Sequence, residues 1–416
     1  MKITNAAVPA SLTEGGTGDG LALFDVTLAD GRIAAVEPAS GTPGDIDAAG
    51  GIFVPAFTDM HTHLDKGHIW PRKANPTGTF PDAVVAVADD RARHWNAADV
   101  AARMEFSLRC AYAHGTAAIR THIDSQAPQQ TISWPVFAQM RERWAGRIEL
   151  QGSSLSGIDL LPEDLGPLFD LVTHHGGIVG AALYMAPAMK PRVTALLTEA
   201  EERGLDIDFH VDETLDPASD CLAHVAAEAK RIGFSGTITC GHCCSLMTMP
   251  DEKAGRILDA VAEAPIAIVS LPMCNLYLQD RDTRARRTPR IRGGTLVHEM
   301  AARGIPVAIA SDNTRDPFYA YGDLDMVEVW REATRVLQLD HPVGAWPRAF
   351  SATPASIMGL ADRDAIRPGA HADLVLFSAR SYSELFSRPQ ADRTVIRAGA
   401  VIEPALPEYH ELDSIL

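Results

Sequence analysis

Four clusters of polar residues carry side-chain types that bind metal ions or move protons, and each cluster follows a short, largely apolar run. The clusters are His61-Thr62-His63, His210-Val211-Asp212-Glu213, His242 and Ser311-Asp312-Asn313. The preceding runs, 52–57, 207–209, 237–239 and 305–310, are typical of buried strands. Side chains at the carboxyl ends of parallel strands in an α/β barrel meet at one face. The pattern therefore predicts an active site rather than a simple binding surface.

The first cluster has the spacing of a metal site. His61 and His63 alternate along a strand, so both imidazoles point the same way and can hold one ion. His210 and Asp312, from two other strand ends, would complete a mononuclear site. Mixed imidazole and carboxylate ligands suit zinc or ferrous iron better than magnesium or calcium. We therefore expect one divalent metal ion, Zn or Fe(II), which would acidify a bound water.

Two further side chains are candidates for handling protons. Glu213 lies three residues after His210, where a carboxyl could carry a proton between water and a substrate nitrogen. His242 could orient the same water. Each residue alone also has a structural interpretation, with His242 as a core histidine and Asp312-Asn313 as a helix cap or turn. The coincidence of four clusters at strand ends in one register favours catalysis.

The elements that would position these residues alternate between strand and helix, which indicates a (β/α)8 TIM barrel. The expected strands are residues 52–59, 117–123, 148–153, 178–184, 206–211, 236–242, 265–271 and 305–311. Helices are predicted for 97–114, after the cap residue Asn96, and for 190–203, before a stop at Gly204. Residues 70–89 contain three prolines and are too irregular for a barrel helix, so we expect part of a lid there.

The two ends of the chain do not fit the barrel pattern. Both carry short strand signals separated by glycine, aspartate and proline, which predicts one small β-sandwich built from both termini. We expect the first part of the sandwich at 1–51, the catalytic barrel at 52–360 and the second part of the sandwich at 361–416.

Charge and hydropathy narrow the class of partner. The net charge of −17, from 37 basic and 54 acidic residues, argues against nucleic acid or an anionic membrane. No run approaches 18 consecutive apolar residues and no signal-peptide pattern opens the chain. We expect a cytoplasmic protein whose partner is a small molecule.

Longer motifs extend these clusters. They are the stretch from Pro55 to Asp65 around His61-Thr62-His63, Arg120-Thr121-His122-Ile123-Asp124, Asn275-Leu276-Tyr277-Leu278-Gln279-Asp280-Arg281, Asp316-Pro317-Phe318 and Pro368-Gly369-Ala370-His371-Ala372-Asp373-Leu374-Val375. Together they resemble the amidohydrolase superfamily over essentially the whole chain, and within it the cytosine deaminase-like group. The resemblance implies a deaminase of a small amino-substituted N-heterocycle, in which hydroxide attacks an amidine-like carbon and ammonia leaves. It also leaves homo-oligomerisation open, since members of the superfamily often self-associate.

The resemblance assigns roles to the same residues. It implies that His61, His63, His210 and Asp312 hold the metal, that His242 and Asp312 hydrogen-bond the water, and that Glu213 protonates a ring nitrogen. The substrate-binding candidates are Gln151, Ser156, Asn313 and Phe318. Two departures from the family pattern leave the identity of the substrate heterocycle undetermined. Ser156 or Gly157 stands where cytosine deaminases carry a substrate-reading glutamine, and Asn313 replaces the second member of an acidic pair. Cytosine, a substituted cytosine, isocytosine, creatinine and an aminotriazine all remain candidates.

Three other functions are alternatives to deamination. A cyclic-amide hydrolase of the hydantoinase type usually needs a carboxylated lysine on strand four, and residues 178–184 contain none. A hydrolase of N-alkyl aminotriazines would share the mononuclear site and is hard to separate by sequence. A non-catalytic assembly protein of the same fold would typically lose the ligand residues, which are all present here.

Overall fold

Short strands from both ends of the chain pair into a β-sandwich. The computed structural model describes residues 1–16 and 18–416. One sheet contains β1 (Lys2–Pro9), β2 (Leu21–Ala29), β3 (Arg32–Pro38) and β4 (Ile46–Asp47), in the order β3-β2-β1-β4. The second sheet joins β5 (Phe53–Pro55) to β14 (Leu374–Leu376), β15 (Thr394–Arg397) and β16 (Ala400–Ile402). Buried side chains from both sheets, including Val26, Phe53 and Ile396, share one apolar cluster that holds the sheets together.

Eight parallel strands lie between the two halves of the sandwich, within the fully described range 57–309. They are β6 (Phe57–Thr62), β7 (Thr116–Asp124), β8 (Glu149–Leu155), β9 (Val179–Leu183), β10 (Ile207–Val211), β11 (Ile238–His242), β12 (Ile266–Ser270) and β13 (Val307–Ile309). Regular ladders connect β6 to β8 and β9 to β13. Isolated parallel bridges link Ser153 to Ile178, Gly157 to Ala182 and Thr62 to Asp312. Each strand therefore has a parallel neighbour on both sides, as in a (β/α)8 barrel.

Helices alternate with these strands and cover the barrel. They are α1 (Phe80–His94), α2 (Ala97–Ala113), α3 (Gln130–Trp144), α4 (Gly166–His174), α5 (Met189–Arg203), α6 (Cys221–Ile232), α7 (Asp251–Ala262), α8 (Pro272–Leu278), α9 (Val297–Ala302), α10 (Met326–Leu337), α11 (Ala352–Ile357) and α12 (Tyr382–Ser387). Both predicted helix ends are confirmed. The Asn96 side chain accepts from the backbone N–H groups of Ala98 and Asp99, and Gly204 ends α5 at φ 64°.

Two expectations about the first barrel segment need correction. The run 52–59, expected as one strand, is two strands, because β5 pairs with β14 in the sandwich while β6 pairs with β7 in the barrel. Residues 70–89 are not irregular throughout, since α1 begins at Phe80. Pro81 lies in the first turn of α1, where its missing N–H removes no helical hydrogen bond.

The helices of the described residues, 1–16 and 18–416, include none with the length and apolar character needed to cross a lipid bilayer.

Candidate active site

Four predicted ligand side chains converge at the carboxyl ends of three barrel strands. The Nε2 atom of His210 lies 3.2 Å from that of His61 and 3.3 Å from that of His63. Oδ1 of Asp312 lies 3.1 Å from Nε2 of His63 and 3.7 Å from Nε2 of His61. All four residues are buried. The structure therefore brings together the whole ligand set named from sequence.

The chemistry of this cluster fits a divalent cation. Burial, together with neighbouring positive charge or imidazoles, holds the pKa values of His61, His63 and His210 well below their usual range. Neutral imidazoles present lone pairs, and Nε2 atoms that face one another at these distances cannot all donate hydrogen bonds. Burial raises the pKa of Asp312 to about 7. Three converging nitrogen donors and one carboxylate in a dry site are a set that a metal ion would stabilise.

A fourth histidine, His122, contacts this cluster through His61. Its Nε2 lies 3.1 Å from Nδ1 of His61, and both rings are fully buried. A Cβ placed on Gly241 would come within 2.8 Å of Cε1 and 3.1 Å of Nδ1 of His61. The His61 ring is thus in close contact with both the His122 imidazole and the bare backbone of Gly241. His122 was recognisable from sequence only as part of a motif. Its spacing of two residues from Arg120 along β7 indicates that it also faces the barrel interior.

Glu213 and His242 are joined by Asn275, which sequence reasoning did not select as a site residue. Nδ2 of Asn275 donates to Oε1 of Glu213 at 3.2 Å and contacts Nδ1 of His242 at 3.1 Å. Because an amide nitrogen only donates, Nδ1 of His242 must accept, which puts the ring proton on Nε2. Burial and then the nearby Asp312 raise the pKa of Glu213 well above its usual range, which favours the protonated carboxyl.

The backbone at two of these residues is strained. His242 and Asp312 have φ values of 68° and 66°, in the left-handed region that non-glycine residues rarely adopt. Such conformations cost on the order of 1–3 kcal/mol each and persist where the surrounding structure imposes them, most often at functional sites. Here the strained backbone turns both side chains toward the ligand cluster.

A cavity of about 290 Å³ lies directly above the cluster. His63, His210, Glu213, His242 and Asp312 line its floor. Its walls are largely apolar and include Phe80, Val84, Val87, Leu155 and Phe318. A small concave site with a few convergent polar groups is the usual form of a small-molecule pocket.

Of the predicted substrate-binding residues, three line this cavity and one does not. Ser156, Asn313 and Phe318 are in its wall, although Nδ2 of Asn313 already donates to Asp316 at 2.7 Å. Gln151 lies four residues before Leu155 on β8, which places it roughly 13 Å deeper in the barrel at about 3.3 Å per residue. Its amide accepts from Arg120 and donates to the carbonyl of Met358. Gln151 therefore lies outside the lining of this cavity.

The cavity also holds charged residues that the sequence argument did not select. Lys66, Asp124 and Arg91 line one side. Nζ of Lys66 lies 3.0 Å from Oδ1 of Asp124, and Nη1 of Arg91 donates to its Oδ2 at 2.6 Å. One carboxylate thus contacts two cations in this wall, and Glu213 lines the same cavity.

Comparison with known proteins agrees with this geometry. A model of the amidohydrolase family matches residues 169–403. The chain is 51% identical to a pterin deaminase of Rhizobium rhizogenes, over 100% of this chain and 96% of that protein. It is 23% identical to an N-isopropylammelide isopropyl amidohydrolase of Pseudomonas sp., over 91% of this chain and 93% of that protein. Among solved structures, 5-methylcytosine deaminase from Klebsiella pneumoniae superposes with a TM-score of 0.82 at 25% identity, covering 98% of each chain.

Proposed function

The chain belongs to the amidohydrolase family, and from that premise we propose that it hydrolyses the 2-amino group of a pterin to give the corresponding lumazine and ammonia. It is a metal-dependent deaminase, a hydrolase of non-peptide C–N bonds. The observation that carries the choice of ring is the 51% identity to a pterin deaminase over the whole chain.

The pterin assignment replaces cytosine as the leading substrate and is consistent with the residues of the cavity. The pyrimidinone ring of a pterin is an isocytosine, which is one of the candidate substrates named from the sequence. At the place after strand three where cytosine deaminases carry a substrate-reading glutamine, this chain has Ser156 or Gly157, which disfavours cytosine. The apolar walls of the 290 Å³ cavity suit the second, fused ring.

We assign the residues as follows. His61, His63, His210 and Asp312 would hold one divalent metal ion, zinc or ferrous iron, which when bound supplies an acidified water as the nucleophile. Glu213 would donate its proton to a ring nitrogen beside the amidine carbon, then take up the proton of the added hydroxyl and deliver it to the leaving amine. His242 would orient the water through Nε2, and Asn275 would keep Glu213 and His242 in register.

The main rival within the fold is disfavoured by strand four. A hydantoinase-type site needs a lysine on β9, and the described residues Val179–Leu183 contain none. Lys190, the next lysine along the chain, lies in α5 and is not among the residues that line the cavity.

The test uses enzyme loaded with zinc or ferrous iron and measures release of ammonia from pterin, isocytosine, cytosine and 5-methylcytosine, and of isopropylamine from N-isopropylammelide. Ring opening of hydantoin is followed in parallel. We expect pterin to give lumazine with the highest kcat/KM. Cytosine as the best substrate would overturn the ring assignment and leave the reaction class intact. Opening of hydantoin without ammonia from any amine would overturn the class.

A further inference from the structure

A second lobe of the cleft, of about 610 Å³, adjoins the cavity above the ligand cluster. The two lobes share His210, Glu213, Phe80, Ala182 and Tyr184, so the second lobe opens directly from the proposed reaction centre. Its outer wall is formed by residues 278–282 and Arg287, which follow α8. A heterocycle seated over Glu213 therefore has room for a substituent that extends into this lobe.

The segment that forms this wall has an exceptional charge. Residues 281–292 contain six arginines, at positions 281, 284, 286, 287, 290 and 292, and one aspartate, Asp282. The chain as a whole carries a net charge of −17. A local positive field at the mouth of a cleft raises the concentration of anionic ligands there, whereas the rest of this protein repels them.

The loop is folded rather than loosely tethered. Asp280 accepts from the guanidinium of Arg287 and from the backbone N–H groups of Arg290 and Ile291. Asp282 accepts from the backbone N–H groups of Arg284 and Ala285. Both carboxylates are thereby used to shape the loop. Within residues 1–16 and 18–416, Arg287 is the only arginine of this loop with a carboxylate partner.

Arg281 is the best-placed member of the loop. Its Nε and Nη2 donate to the carbonyl of Tyr277 at 3.1 and 2.6 Å, and its guanidinium lies 4.5 Å from the centre of the Tyr277 ring. Gly78, at φ 73°, allows this position, since a Cβ there would come within 2.8 Å of Cδ of Arg281. Nη1 makes no hydrogen bond to the described residues. A fixed guanidinium with free N–H groups at a cleft wall suits carboxylate or phosphate.

We infer that the second lobe is a subsite for an anionic substituent, a carboxylate or phosphate, carried by the aminoheterocycle and bound by Arg281. The inference rests on the proposed function, because it takes the reacting ring to lie over Glu213. Arg91, in the first lobe, is less suited to this role because Asp124 already neutralises it.

The experiment compares wild type, Arg281→Gln and Arg284→Gln on four substrates at fixed ionic strength. The substrates are pterin, 6-hydroxymethylpterin, pterin-6-carboxylate and the phosphate ester of 6-hydroxymethylpterin. Arg284→Gln is the matched control, since Arg284 lies in the same loop and carries the same charge but does not line the lobe. We expect wild type to prefer an anionic pterin over the neutral ones by about tenfold or more in kcat/KM. Arg281→Gln should abolish that preference and leave pterin within about twofold, while Arg284→Gln should keep it.

The outcomes separate this inference from the proposed function. Equal kcat/KM for neutral and anionic pterins would overturn the subsite alone. If Arg281→Gln and Arg284→Gln lost the preference for anionic pterins equally, the preference would come from the overall positive charge of the loop. That result would also overturn the subsite. An equal loss on all four substrates in Arg281→Gln would assign Arg281 a structural role instead. A wild-type enzyme that deaminates none of the pterins would overturn the proposed function and the subsite together. The anion that loses more in Arg281→Gln identifies the substituent as carboxylate or phosphate.

Discussion

Replacing Gly241 with alanine should damage the ligand cluster without removing any of its members. Gly241 lies in β11 with ordinary strand geometry, so alanine is permitted by the backbone and the effect is steric. The new Cβ would lie 2.8 Å from Cε1 and 3.1 Å from Nδ1 of His61, whereas ordinary contact begins at 3.4 Å. The ring would have to retreat by about 0.6 Å, and its Nδ1 already lies 3.1 Å from Nε2 of His122, so the shift would disturb that contact as well.

The size of the effect follows from that displacement. Metal–ligand distances tolerate about ±0.2 Å, so a shift of this size would weaken the proposed His61 ligation. We expect metal affinity to fall about 10- to 100-fold, as for loss of a group that orients a ligand. Overpacking should also lower the free energy of unfolding by about 1–3 kcal/mol.

The assay is competition for the metal against a chelator of known affinity, with denaturant unfolding and turnover measured on the same samples. Gly255→Ala is the matched control, because Gly255 lies in α7 and its nearest neighbour to an added Cβ is Arg303 Nη2 at 3.7 Å. That variant should keep its metal and gain up to about 1 kcal/mol of helix stability. If Gly241→Ala bound metal as tightly as wild type and turned over normally, the reasoning that the bare backbone positions His61 would be refuted.

Three other changes test the proton-handling groups and the joint between barrel and sandwich. Glu213→Gln should retain metal and lose about 10²- to 10⁴-fold in kcat, since the amide keeps the shape but carries no transferable proton; metal analysis beside steady-state kinetics checks this. Asn275→Ala should lower kcat and move the limb of the pH profile controlled by Glu213 upward, because the hydrogen bond from Asn275 lowers the pKa of that carboxyl. Arg393→Gln should reduce the free energy of unfolding by about 1.5–3 kcal/mol, because Arg393 makes two 2.6 Å hydrogen bonds to the partly buried Asp325. Burial would raise the pKa of Asp325, but Arg393 outweighs it and lowers the pKa, so unfolding curves of wild type and variant should converge as pH falls below about 4.

The ligand residues could be predicted from sequence because each lies within a few residues of the apolar run that positions it. His61, His63 and His210 need only a strand and its alternation to be placed. Strand alternation shows that a side chain faces the barrel interior, but it does not show how far along the barrel axis that side chain lies. Gln151 has the right residue type and faces inward. It lies deeper than the cavity, however, where it accepts a hydrogen bond from Arg120, which also donates to Asp208. Nothing in the local pattern distinguishes these two depths.

The same distinction explains why the reaction is easier to predict than the ring. The groups proposed to hold the metal and move protons lie at strand ends that the barrel fixes in space. The groups positioned to read a substrate come from long segments between those strands, namely α1 with Phe80 and Val84, and the arginine-rich loop after α8. Their place over the site depends on contacts between distant residues, such as the packing of Gly78 against Arg281. Two chains with identical ligand motifs can therefore differ in substrate through these segments alone, so exchanging residues 279–292 should change substituent preference while leaving the deamination step in place.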